Sequence, residues 1–113
     1  MSKPIDHDAV RDVTLSLIND GRFREQVLHI RRNLTRKVKR GVYDPTLAAR
    51  PWRHAAEHYM SLPYYAGEPM KLNVPTRDAI GRELERDQRE YVYGDAGVEP
   101  GDVPTFPSDV MEG

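Results

Sequence analysis

Residues 22–45 read RFREQVLHIRRNLTRKVKRGVYDP. Phe23, Val27, Ile30, Leu34 and Val38 recur at spacings of 4, 3, 4 and 4, and Leu28 widens the stripe. That is the repeat of one apolar face on a helix of 3.6 residues per turn. Arg24, Arg31, Arg32, Arg36, Lys39 and Arg40 project to the opposite side of the same wheel. Counting Arg22 and Lys37, eight bases stand against one acid, Glu25, between positions 22 and 40. Arg36, Lys37, Lys39 and Arg40 crowd the last turn, where cations oppose the negative end of the helix dipole. Gly41 follows where a left-handed cap is wanted. Asp44-Pro45 then reads as an N-cap with proline at the first helical position, where the missing N–H costs nothing.

Upstream, Asp6 or Asp8 can cap a first helix ending near Asn19, with Val10, Val13, Leu17 and Ile18 on its apolar face. Asn19-Asp20-Gly21 ends that helix and can cap the long one. The short connection favours antiparallel neighbours. Downstream, a third helix is expected from Pro45 to about Ser61. Its inward face is Leu47, Ala48, Trp52, Ala55, Ala56 and Tyr59, with Trp52 as the core anchor. Its indole N–H needs an acceptor. Pro51 lacks the N–H of a helix interior, so a kinked or restarted helix is expected there.

Residues 62–74 are proline- and glycine-rich and read as a loop, with Tyr64 and Tyr65 lying over the core. Asn73 or Thr76 caps a last helix to about Tyr93, ended by Gly94. Ile80, Leu84, Tyr91 and Val92 face inward. Asp78–Arg82, Glu85–Arg89 and Arg86–Glu90 are spaced as i,i+4 pairs, each contributing a few tenths of a kcal/mol. Gly81 inside this helix marks either a close helix approach or a tolerated exposed glycine. The expected fold is all-α: a small bundle of about four helices over residues 1–93, followed by a flexible, acidic, Pro/Gly-rich tail over residues 94–113.

Charge supports that division. All 17 Lys and Arg lie before Gly94, and with 13 acids there they give residues 1–93 a net +4; the tail has five acids and no base. Hydrophobic residues are 38% and charged residues 31% of the chain, which implies a small core and much solvated helix surface. There is no cysteine, hence no disulfide framework or thiolate metal site. MSKPIDHDAV has no apolar segment of the secretory type, and no run is long enough to span a membrane. These features point to a cytoplasmic protein.

Three stretches carry candidate chemistry. His54-Ala55-Ala56-Glu57-His58 has the H-x-x-E-H spacing that sets two imidazoles on one helix face for zinc, with Glu57 as general base. Over these five residues the chain resembles the inverzincin metalloproteases. Those enzymes draw a third carboxylate ligand from far downstream, a position this chain lacks. An exposed histidine pair is therefore the leading reading, with no metal, no cofactor and no catalytic residue; a zinc hydrolase is the remote alternative. The basic helix can meet phosphates or an acidic protein surface. It carries no aromatic beyond Phe23 on the core side, so a nucleic-acid contact would be to the backbone. In the tail, Val103-Pro104-Thr105-Phe106-Pro107 can present Phe106 on an extended backbone to a partner's groove.

One overall pattern is familiar. Asn33-Leu34, Lys37, Lys39-Arg40-Gly41 and Tyr43-Asp44 are followed by a helix with Trp52 and Tyr59, then by Thr76-Arg77 and Ala79-Ile80. Over residues 33–92 this resembles a loose group of small helical proteins carried by phages and plasmids. Pro51 and the Pro/acidic tail depart from that group. The resemblance implies an architecture and a source, with no active site, and a role as an accessory factor binding a host or virion protein. The expected function is thus a non-enzymatic protein-interaction module. Arg32, Arg36, Lys39 and Arg40 form its contact face, and Phe106 is a lesser contact. Nucleic-acid binding by residues 22–40 is the alternative.

Overall fold

The computed structural model describes residues 4–63, 65 and 72–106. Four helices form among them: α1 (His7–Asn19), α2 (Arg24–Lys39), α3 (Pro45–Met60) and α4 (Val74–Asp95). Short 3₁₀ turns occupy Gly21–Phe23 and Pro100–Asp102, and no strand occurs among the described residues. The fold is all-α, as the periodicities require.

Three of the four helices begin on a side-chain cap; α2 starts from Phe23 without one, and the expected cap at Asn19-Asp20-Gly21 serves the Gly21–Phe23 turn instead, where Asp20 accepts the Arg22 N–H. Asp6 accepts from the Ala9 N–H, Asp44 from Thr46 and Asn73 from Thr76. Asp6, not Asp8, and Asn73, not Thr76, are therefore the caps. Thr76 has a different task. Its hydroxyl accepts the Asp6 N–H at 3.0 Å, while the Asn73 amide donates to the Pro4 carbonyl at 3.1 Å. The start of α1 is thereby tied to the start of α4. At the other ends, two helices close in the same way. Gly41 (φ 73°) follows α2, and the Val42 N–H returns to the Lys37 carbonyl. Gly97 (φ 89°) follows α4, and the Val98 N–H returns to Tyr93. Both are Schellman closures, in which an achiral residue takes the left-handed turn. The second corrects the expected stop at Gly94, which is helical; α4 runs on to Asp95.

The core gathers Val10, Val13 and Leu17 of α1, Phe23, Val27 and Leu34, then Trp52 and Tyr59 of α3, and Ile80, Leu84 and Val92 of α4. Trp52 is fully buried, as the anchor should be, but its indole N–H has no acceptor among the described residues. Tyr65 packs edge-on against Tyr59 at 5.4 Å between ring centroids; Tyr64 lies outside the described residues.

Three further expectations change. α3 is continuous through Pro51, so the restarted helix is excluded. The carbonyl that Pro51 cannot serve belongs to Leu47, on a turn facing solvent. Leu47 itself is exposed rather than buried. On the wheel it lies well away from Trp52, and Ala49 and Met60 take the inward side instead. Tyr91 is 56% exposed rather than inward. The buried stripe of α4 drifts around the helix, because α1, α2 and α3 all pack against it. Toward the C-terminus it passes through Glu85, Gln88, Arg89 and Val92.

Gly81 marks a close approach. A Cβ there would lie 2.8 Å from the Ala49 carbonyl oxygen and 2.8 Å from the Arg53 Cβ, so α3 and α4 touch nearly backbone to backbone. Asp78 pairs with Arg53 across that contact.

Candidate interaction surface

α2 carries the predicted contact face, and Thr35 decides which way that face points. Its hydroxyl is placed between the Arg31 carbonyl, 2.8 Å away within the helix, and the Val92 carbonyl of α4 at 3.4 Å. Thr35 is buried, and it pins the rotation of α2 about its own axis. With Leu34 and Thr35 inward, Arg32, Arg36, Lys39 and Arg40 all stand exposed. They span nine residues, about 12 Å of helix. Arg36 Nη1 donates to Asn33 Oδ1 at 3.2 Å, and Asn33 Nδ2 lies 3.3 Å from His29 Nε2, so one side of the face is a chain of polar contacts. None of the four cations forms an ion pair with a described residue.

Arg31 and Arg24 leave the face on which the sequence places them. Arg31 turns into the seam with α4, where Nη2 meets Asp95 at 3.2 Å and the guanidinium carbon sits 5.1 Å from the Tyr91 ring centre. Arg24 lies at a cleft between α1, the start of α2 and α4, with a volume of about 460 Å³. Leu15, Ile18 and Leu28 form its apolar wall, facing Asp87, Gln88 and Tyr91. The sequence holds no sign of this cleft beyond the exposed apolar side chains that frame it.

At the cleft's edge, Asp20 gathers four donors. Arg22 supplies its backbone N–H, Nε and Nη2, each at 3.0 Å, and the Tyr59 hydroxyl completes the set at 3.0 Å. The Arg22 side chain holds the Asp20 carboxyl down at about 2, against burial, which acts the other way. Burial first, and the Asp20 charge with it, raises the Tyr59 phenol.

Phe106 is occupied within its own chain. After α4 the described part of the tail turns back through Pro100–Asp102 and sets Phe106 under Arg89, 4.8 Å from guanidinium carbon to ring centre, and 6.3 Å from Tyr43. As a partner's anchor it would first have to leave that seat. Beneath it lies a buried network. Arg89 bonds Glu85 through Nε at 2.6 Å and Nη2 at 2.5 Å, and the Tyr43 hydroxyl donates to Glu85 at 2.6 Å. Burial, then the hydrogen bond to Glu85, pushes the Tyr43 phenol far up. Residues 107–113, with Asp109 and Glu112, lie outside the described residues.

The H-x-x-E-H stretch does not assemble a site among the described residues. His54 and His58 are exposed, and Glu57 faces Arg53 at 3.6 Å and Arg77 at 3.5 Å. The His58 ring lies 6.0 Å from Phe23. No group of three histidine or acidic side chains among the described residues could hold a metal ion. No described helix is long and apolar enough to cross a membrane. No family model matches the chain, and neither do any of the curated proteins or solved structures compared with it.

Proposed function

We propose that this chain is a non-catalytic interaction module that recognises an acidic surface on another protein through Arg32, Arg36, Lys39 and Arg40. Unmatched charge carries the proposal. Arg22, Arg31, Arg53, Arg77, Arg86 and Arg89 each meet an aspartate or glutamate. The four on the solvent side of α2 meet none among the described residues. Cations this close repel one another within a Debye length, so an acidic partner relieves a cost as well as forming contacts. The face offers hydrogen-bond donors and fixed charge, with no nucleophile among its four side chains. This reading also suits an accessory factor of a phage or mobile element that binds a host or virion protein, in line with the resemblance over residues 33–92.

The test is recovery of partners from a lysate of the source organism by immobilised wild type and by the charge-reversed R32E/R36E/K39E/R40E chain. A protein should be held by wild type at low salt, released as salt rises, and missed by the variant. Equal recovery by both overturns the proposal. Duplex DNA and single-stranded RNA are titrated beside it over the same salt series. Affinity that falls steeply with salt and is lost in the variant would put a nucleic acid in the partner's place, since phosphate contacts release counterions.

A further inference from the structure

We infer that the cleft between α1, α2 and α4 is the anchoring pit of the same contact, and that it takes an apolar side chain carried on an acidic peptide segment. This rests on the basic-face reading above. The cleft's volume, about 460 Å³, falls within the range that holds a large side chain and its flanks. Its lining sets the apolar side chains of Leu15, Ile18, Leu28 and Tyr91 among polar and charged ones. Of the five large apolar side chains exposed among the described residues, two frame this one opening: Leu15 at 54% from α1 and Tyr91 at 56% from α4. The Tyr91 wall is held in advance, because Arg31 lies over its ring while bound to Asp95. Two buried polar atoms without a partner among the described residues, Thr14 Oγ1 and Arg31 Nε, also belong to residues lining the cleft.

Charge chooses the occupant. Asp20 is satisfied by Arg22 and Tyr59, whereas Arg24 on the α2 wall has no ion pair with a described residue. The α4 wall carries Asp87, exposed and, among the described residues, accepting from its neighbour Gln88 at 2.8 Å. The cleft is therefore polarised, basic along α2 and acidic along α4. Leu28 stands one helical turn before Arg32, so the apolar floor passes directly into the cationic face. A small free ligand held in the pit would leave that face unused. A segment with an apolar anchor and carboxylates on its α2 side would engage both, in the manner of a peptide laid in a groove.

The probe is a short capped helical peptide of glutamate and alanine with one central phenylalanine, labelled for anisotropy and titrated against the full chain. It should bind about tenfold more tightly than its Phe→Ala counterpart, as burial of one aromatic side chain implies. Leu15→Asp should erase that difference. Asp87→Asn should raise affinity about threefold, the scale of one exposed charge contact. Equal binding of the two peptides overturns the inference, as does no binding of either at low salt. If Leu15→Asp changes nothing while R32E/R36E/K39E/R40E abolishes binding, the pit falls and the basic-face reading stands. Free 3-phenylpropionate binding as tightly as the peptide would make the cleft a small-molecule site and would also overturn the inference.

Discussion

Glu85 shows how far one spacing can be from one energy. In the sequence, Glu85 and Arg89 are an i,i+4 pair of the kind that contributes a few tenths of a kcal/mol on a helix surface. In the fold both are buried, at 3% and 5% exposed, with Tyr43 bonded to the carboxylate and Phe106 over the guanidinium. Removing one member strands the other charge away from water. Glu85→Ala should therefore cost about 3–5 kcal/mol. Tyr43→Phe should cost only about 1 kcal/mol, because Arg89 still holds both carboxylate oxygens. Denaturant melts of the two variants check the ranking; a Glu85→Ala chain as stable as wild type would mean that the pair is solvated. The burial was illegible in the sequence because it is supplied by residues 42 positions upstream and 17 positions downstream of their partners. The cationic side of α2 shows the opposite case. Arg32, Arg36, Lys39 and Arg40 were placed correctly by the wheel, since an exposed side needs no partner to define it.

At the scale of the element, α4 organises the bundle although α2 has the clearer sequence pattern. It touches each of the other three helices, α3 most extensively. A helix covered on several sides cannot keep one narrow apolar stripe, so its pattern reads weakly. Gly81 is the point of tightest contact. Alanine there would gain about 1 kcal/mol of helix propensity. Its Cβ would press on the Ala49 carbonyl, which is backbone and cannot swing aside, and overpacking of this kind costs about 1–3 kcal/mol. Gly81→Ala should therefore destabilise by up to about 2 kcal/mol net, seen as a lower midpoint in urea. A higher midpoint would mean that α3 and α4 separate easily. The sequence left Gly81 open between close approach and bare exposure, because a glycine reports that a side chain is missing but not what fills the space.

Across the whole molecule the thinnest dimension is 19 Å, about two helix diameters. Every helix in so thin a slab keeps a side in water, which is why a cationic face and a mixed cleft both stay open beside a complete core. Four tyrosines pack against other rings between its elements: Tyr43 on Tyr93, and Tyr59 on Phe23 and Tyr65. Burial raises the phenols of Tyr43, Tyr59, Tyr65 and Tyr93 above their ordinary value of 10. Because the folded state holds those protons more tightly than the unfolded chain, their stabilising effect is full below pH 10 and drains away as pH rises beyond it. Alkaline titration should show these phenols ionising together with the loss of helical circular dichroism. Ionisation of all tyrosines at pH 10 with the helices intact would contradict this. The sequence by itself determined the helices, the Asp44 cap of α3, the left-handed turn at Gly41 and the cationic side of α2. Those depend on neighbours within a turn or two, through backbone hydrogen bonds and the helical repeat. Only the tertiary structure decided that Arg31 leaves the basic face, that Phe106 closes over Arg89, that Glu85 is buried and that α1, α2 and α4 enclose a cleft. Each of these is a contact between residues far apart in the chain, fixed by packing that no local repeat encodes.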